Sequence, residues 1–317
     1  MPLSNTELLY YDGNVLRLQK EKRTEYHKQV DRLIAELRKH VTNQSELKVT
    51  KVVKAGSFAK YTILRKTNDD PIDVDVVFYV SGKNADEETI ASLGETIHSL
   101  LIKIYPTKSV EDFEIQRKAA TVTFIGSGLS VDIVPVLQDP VLENHGWQFD
   151  LKDATKSITC APCSVQFVGD RKAKDPHFRT LVRLGKRWRN HFALPGLKSF
   201  HIELILAYLL DKDGSGESIE KKFRDFLLYI AQSELKERLD FEENNGKPKV
   251  SFSTPVVIVD PVNHENNVAS RITEQERKEI IAQAEESWED ASYASAKNDV
   301  ELWKKVFGPR FKVKDAA

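Results

Sequence analysis

Residues 52–80 read VVKAGSFAKYTILRKTNDDPIDVDVVFYV, and residues 128–136 read GLSVDIVPV. The first stretch holds a Gly56-Ser57 turn and, sixteen residues after the serine, the acid pair Asp73 and Asp75. The second holds Asp132. Both acid-bearing segments alternate β-branched residues with other types, which predicts strands. Side chains alternate faces along a strand, so Asp73 and Asp75 project together while Ile72, Val74 and Val76 point to the core. By the same rule Asp132 lies opposite Val131 and Ile133. If the two strands are neighbours, three carboxylates converge. Such a cluster repels itself unless cations are bound. Mg²⁺ suits it as a hard ion held by a few carboxylates and substrate phosphates, and two such ions drive phosphoryl transfer from a nucleotide. Asp132 is then the acid placed to help deprotonate an attacking ribose hydroxyl.

Gly56 and Ser57 open what reads as a short helix, Phe58–Arg65. A Gly-Ser pair alone carries no information, but ahead of an Asp-x-Asp strand it marks a turn where backbone amides approach phosphate.

The bulk composition bounds the rest. At 317 residues the chain predicts about two domains. With 40% hydrophobic and 30% charged residues it is an ordinary globular protein. No apolar run approaches the roughly 18 residues of a membrane span, and the N-terminus is not a signal peptide, so the expectation is a cytoplasmic protein without a membrane partner. The formal net charge of −1 excludes a global basic field, so a polyanion site must be local.

Such a site is visible between Arg171 and Arg189, with eight Lys or Arg against the single acid Asp175. Arg179, Arg183 and Lys186 share one helical face, a stripe that could clamp a triphosphate, track a nucleic-acid backbone or simply be a solvated face. Ser199 begins the next helix, where an anion or an ordinary N-cap would sit. The two cysteines form Cys160-Ala-Pro-Cys163. Such a pair can be half of a zinc site, with His145 and His177 as the histidines to complete it, or a redox couple, but no second C-x-x-C and no thioredoxin-like βαβ context exist. The expectation is two reduced thiols without function.

Along the chain, 15–41 predicts a long amphipathic helix, 48–55 and 72–80 strands, 87–105 a helix, and 113–116, 120–125 and 130–136 strands. The last two of these are joined by a hairpin at Gly126-Ser-Gly128. Asn68–Pro71 reads as a turn. Helices follow at 176–191, 198–210, 219–239, 273–296 and 300–306, with one strand-like segment at 255–260. The fold class is α+β. Residues 1–158 form the catalytic lobe with its N-terminal helix, and 159–317 a helical lobe.

The tracts GSFAKYT, DVDVVFYV, VDIVPV, LVRLGKRW, KSFHIELILAYLL and VIVDPVNHENNV together resemble the cGAS/DncV-like nucleotidyltransferases, bacterial relatives of oligoadenylate synthase and the animal cyclic GMP-AMP synthase. The resemblance covers most of residues 15–310. It is strongest to the clade that works with HORMA-domain regulators and makes cyclic triadenylate. It implies a polymerase-β-like lobe beside an oligoadenylate-synthase-like helical lobe. It also implies synthesis of a cyclic oligonucleotide from ATP in anti-phage (CBASS) signalling, with two Mg²⁺ ions or Mn²⁺ in their place. A HORMA-domain regulator, and double-stranded DNA in the activated complex, are the partners it implies.

By position, Asp73, Asp75 and Asp132 match the metal triad, and Gly56 and Ser57 the phosphate turn. Lys186 and Ser199, with Arg183, match the donor-triphosphate side, and Asp260 and Asn267 the late tract beside the nucleotide pocket. Three departures stand out. Tyr61-Thr62 replaces the Gly-Thr that follows the turn's lysine, and His264 replaces a proline of the late tract. The Gly-Ser to Asp gap is also about two residues longer, absorbed at Asn68–Pro71, where insertion costs little. A different cyclic dinucleotide product, nucleotide addition to RNA ends or a small molecule, and a non-catalytic binding protein are the competing readings.

Overall fold

The computed structural model describes residues 2–44, 47–65, 71–82, 87–216 and 218–314. Three of the four residues read as the Asn68–Pro71 turn therefore lie outside the described residues. In chain order the elements are α1 (Asn5–Tyr11), α2 (Lys20–Gln44), β1 (Lys48–Lys54), α3 (Gly56–Ala59), β2 (Ile72–Ser81) and α4 (Glu87–Ile104). They continue with β3 (Phe113–Ile115), β4 (Ala120–Phe124), β5 (Leu129–Gln138), β6 (Gly146–Asp150) and β7 (Thr155–Thr159). The helices α5 (Ala161–Lys174), α6 (Phe178–His191), α7 (Ser199–Asp213), α8 (Ile219–Ser233), α9 (Glu274–Lys297) and α10 (Lys304–Phe307) complete the chain. This is the mixed sheet with helices that the sequence predicts.

The strands form one sheet in the order β1-β2-β5-β4-β3, with β6 pairing β5 and β7 pairing β6. β2 and β5 run parallel; β1–β2 and β4–β5 are antiparallel. One face of β2 (Ile72, Val74, Val76, Phe78, Val80) is buried in a core with Val30, Leu33 and Leu37 of α2 and Leu93, Ile97 and Leu101 of α4. The opposite face carries Asp73 and Asp75, then Val77 and Tyr79, which pack with Ala55, Val136 and Ala161. A slip of one residue would exchange the two faces, burying both acids in that core, so the hydrophobic pattern fixes the register.

The chain folds as two compact units, Leu18–Gln166 and Met1–Arg17 with Phe167–Ala317. The division therefore falls inside α5 rather than at the expected 158/159 boundary, and the first residues belong to the helical unit. There Asp12 explains the assignment: it is fully buried against Arg183 of α6.

Several expected boundaries move for local reasons. The long N-terminal helix begins at Lys20, and α1 precedes it, capped by Ser4, which accepts from the Glu7 amide while the Glu7 side chain accepts from Ser4. The helix expected at Phe58–Arg65 is a single turn, ending where Tyr61 takes φ +61°. α6 starts at Phe178 because the Asp175 carboxylate accepts from the His177 amide at 2.8 Å. α8 stops at Ser233 because Glu234 and Leu235 both take positive φ. The segment at 255–260 makes isolated bridges only, Leu239 with Ile258 and Val259 with Asn267. The reduced-thiol expectation is also corrected: Cys160 and Cys163 form a disulfide across the start of α5, their Cα atoms 5.2 Å apart and within bridging range. Among the described residues, no helix is long and apolar enough to cross a membrane.

Candidate active site

Asp75 and Asp132 are directly paired across the parallel β2–β5 ladder, and Asp73 pairs with Ser130 two residues earlier. Paired residues share a face, so the three carboxylates emerge together from the non-core side of the sheet. The row continues across the sheet. Thr121 of β4 is opposite Asp132, and Glu114 of β3 is opposite Thr121. The Thr121 hydroxyl donates to Oδ1 of Asp132 at 2.6 Å. Burial pushes the Asp132 carboxyl above the usual range, the Thr121 hydrogen bond opposes that, and the charge of Glu114 adds to it. Asp73 is exposed, while Asp75 and Asp132 are half-buried.

The turn is fitted to this row. The Ala55 amide donates to the Asp75 carbonyl at 2.8 Å, bringing Gly56 against the Asp75 side chain. Gly56 has φ +57°, and a Cβ there would lie 1.7 Å from Oδ2 of Asp75. Only glycine satisfies both conditions. Ser57 follows, its carbonyl accepting from the Thr62 amide at 2.9 Å and so folding the turn back. Tyr61, at the departure noted in sequence, holds a left-handed conformation under the Arg23 guanidinium, 3.5 Å from the ring centroid. The residue that lacks glycine's freedom is thus held by a cation–π contact.

The helical unit places the remaining expected residues differently from one another. Lys186 is buried on α6, and Ser199 is the first residue of α7, its hydroxyl 3.3 Å from Nη2 of Arg189. Arg183, expected beside them in a clamp, is instead committed to Asp12. Its Nε donates to Oδ1 at 2.5 Å and its Nη2 to Oδ2 at 2.7 Å, with Thr180 adding a bond at 3.1 Å. Burial opposes charge on Asp12, but Arg183, with help from Arg17, outweighs it and holds the carboxyl below its ordinary range.

The late tract also turns inward. Asn267 accepts from the Ile258 and Ala269 amides and donates to the Val256 carbonyl and the Thr254 hydroxyl, which uses its full hydrogen-bonding capacity. Asp260 accepts from the Val262 amide at 2.9 Å and from the Asn266 side chain at 3.1 Å. These two residues hold the loop's shape. His201 joins that loop to the start of α7: Nδ1 accepts from the Lys198 amide, and Nε2 donates to the Val268 carbonyl at 3.0 Å.

Thr121, Asp12, His201 and Glu114 are the site and supporting residues that sequence reading missed. Thr121 had a signal. Counting back through the hairpin from Phe124–Leu129 pairs it with Asp132.

The donor set fits a hard divalent cation: carboxylate oxygens alone, two of them on paired positions, beside a glycine that leaves backbone close at hand. Asp73, Asp75 and Asp132 are the residues that would hold it.

Residues 6–160 match the family of Second Messenger Oligonucleotide or Dinucleotide Synthetase domains. Over all 317 residues of both chains, the sequence is 61% identical to the CBASS oligonucleotide cyclase CdnC of Escherichia coli strain KTE188. The chain belongs to the CBASS oligonucleotide cyclases. This cyclase is also 35% identical over 309 residues to a cyclic AMP-AMP-AMP synthase of E. coli strain MS 115-1, covering 93% of this chain and 94% of that one. CdnC of E. coli MS115-1 solved with ATP is 32% identical, with a TM-score of 0.84 over 98% of this chain and 99% of that chain. The same protein in a complex with HORMA-deltaN gives 0.82 at 31% identity, over 98% of each chain. The cyclase is therefore a nucleotidyltransferase of the cGAS/DncV-like group, with the fold that its sequence predicts.

Proposed function

We propose that this cyclase condenses ATP into cyclic triadenylate as an anti-phage signal, using two Mg²⁺ ions, with Mn²⁺ able to replace them. The observation that carries the reading is the pairing of Asp75 with Asp132 on parallel strands, with Asp73 on the same face. Bound there, divalent ions supply Lewis-acid polarisation of the reacting phosphoryl group and lower the pKa of the attacking hydroxyl.

The chain's own residues do the rest. Thr121 donates to Oδ1 of Asp132 and so fixes that carboxylate, and Asp132 takes the proton of the attacking ribose 3′- or 2′-hydroxyl. Gly56 lets the backbone of the turn approach the donor phosphates, and Ser57 adds a hydroxyl donor. Lys186 and Ser199 hold the donor triphosphate. Arg183, Asp260 and Asn267 act behind them, keeping α6 and the late loop in shape.

The adenine trimer is favoured by the 35% identity to a protein named for that product. A HORMA-domain regulator is favoured by the likeness to CdnC solved with one. Double-stranded DNA as part of the activated complex, and a cytoplasmic site of action, complete the proposal.

The test is incubation with Mg²⁺ and labelled nucleoside triphosphates, alone and with a HORMA-domain protein and double-stranded DNA. A phosphatase-resistant, nuclease-sensitive product with the mass of three condensed AMP units is expected from ATP alone among the nucleotides. Linear products extended on an added RNA end, or absence of pyrophosphate under every condition, would contradict it.

A further inference from the structure

The Cys160-Ala-Pro-Cys163 motif plays no part in the chemistry above, yet it does not stand alone. His145 offers a ring nitrogen within 4.8 Å of both sulfurs, all three ligand atoms lying inside that distance of one another. The residues come from separate elements of the sheet unit. His145 closes the turn between β5 and β6, Cys160 follows β7, and Cys163 lies in the first turn of α5.

His145 is held in the form a metal requires, and the two cysteines are placed to join it once their disulfide is reduced. Nδ1 of His145 lies 2.9 Å from the Glu143 carbonyl. A carbonyl can only accept, so Nδ1 carries the hydrogen and Nε2 keeps its lone pair, which is the arrangement that orients metal-binding histidines. The turn itself is braced: Asp139 accepts from the Val141 and Leu142 amides and from the Trp147 indole, and Gln138 donates to the His145 carbonyl. Cys160 precedes a helix of 14 residues, and the Cys163 amide donates to its sulfur at 3.1 Å. Amide donation at a helix start favours thiolate over thiol.

We infer that the reduced pair, together with His145, forms a zinc site that ties the β5–β6 turn to the start of α5. Two thiolates and one imidazole match the preferences of Zn²⁺, with water in the fourth tetrahedral position. Tetrahedral bonds of about 2.3 Å to sulfur and 2.0 Å to nitrogen place such ligands roughly 3.5–3.8 Å apart. The cluster already lies within reach of that spacing once the S–S bond opens.

The conversion balances with an external dithiol as reductant. Two thiolate attacks transfer two electrons to the Cys160–Cys163 bond, the dithiol becomes a disulfide, and two protons complete the protein thiols. Zn²⁺ then displaces those two protons. The disulfide and the zinc-bound form are alternative states of one site.

The experiment uses the full chain, reduced by a dithiol that is then removed, with excess Mg²⁺ present to occupy the carboxylate triad. Zn²⁺ is titrated against a chromophoric chelator, and Co²⁺ is used in parallel for its thiolate charge-transfer absorption. One metal per chain and a thiolate band are expected from the reduced protein, and neither from the disulfide form. Cys163→Ser and His145→Ala should each weaken Zn²⁺ binding by at least about tenfold, with unchanged far-ultraviolet circular dichroism. A reduced wild-type chain that binds no Zn²⁺, or a Cys160→Ser/Cys163→Ser chain that binds it as tightly as wild type, would overturn the assignment.

Discussion

The Asp75 carboxylate occupies the space that any side chain on Gly56 would need, since a Cβ there would lie 1.7 Å from Oδ2. Turn and acid-bearing strand are therefore one steric unit. Gly56→Ala must push Asp75 aside and also hold an alanine at φ +57°. The backbone term alone costs about 1–2 kcal/mol. Pyrophosphate release should fall far more than stability does, by about 100-fold or more for a displaced reacting group. Near-normal turnover by this variant would mean that the turn is not fitted to the acid.

Thr121 is the residue that positions Asp132. Thr121→Val keeps the shape and removes the hydroxyl, leaving Oδ1 of Asp132 without the bond it accepts at 2.6 Å. A hydrogen bond to a charged group contributes about 1.5–3 kcal/mol, so kcat should drop by roughly tenfold or more. Thr121→Ser should retain most of the rate. Equal kcat for the valine and serine variants would show that the Thr121 hydroxyl does not position Asp132.

The Asp12–Arg183 pair is a test of stability against binding. Both groups are almost wholly buried. Removing one partner strands the other's charge, so Asp12→Ala should cost about 3–5 kcal/mol in urea unfolding. Arg183→Lys, which loses the two-pronged geometry, should also destabilise, yet leave KM for ATP unchanged at temperatures where it stays folded. A raised KM with unchanged stability would restore Arg183 to the triphosphate clamp.

His201 sets an acid limit. Burial pulls its pKa down from 6.5 to about 4. The unfolded chain therefore binds a proton that the folded chain refuses between those values. The stabilisation is fully present above pH 6.5 and is lost as pH falls toward 4, by about 3 kcal/mol at most. Unfolding free energies of wild type and His201→Asn, measured from pH 7 to pH 4, should converge as the pH falls. Parallel curves would show that His201 titrates normally in the fold.

The triad was legible because its information is local. A period of two, with valines and isoleucines between the acids, fixes the face of Asp73, Asp75 and Asp132 before any contact is known. The hairpin at Gly126–Gly128 was equally legible, and it carries Thr121. What the sequence hid was pairing over long separations. Nothing near Arg183 announces that its partner is Asp12, so it read as one more cation in a basic run. Asn267 looked like a ligand-facing residue for the same reason, since its four partners are visible only once residues 254–269 fold back on themselves. β6 and β7 were missed because GWQFD and TKSIT are short, with little buried alternation: Gly146 and Asp150 alone are buried in β6, and no residue of β7 is. The early stop of α3 was invisible because nothing in the type of residue 61 signals a positive φ; the stacked Arg23 shows how it is held.

The central claim is that the paired carboxylates on β2 and β5 drive nucleotidyl transfer with divalent ions. Pyrophosphate release from ATP in Mg²⁺, under whichever activating condition gives turnover, tests it most directly when wild type is compared with Asp73→Asn/Asp75→Asn. These substitutions keep shape and remove charge at half-buried and exposed positions, so the fold should survive. Turnover is expected in the wild type and none above background in the variant. Turnover that persists in the variant would contradict it.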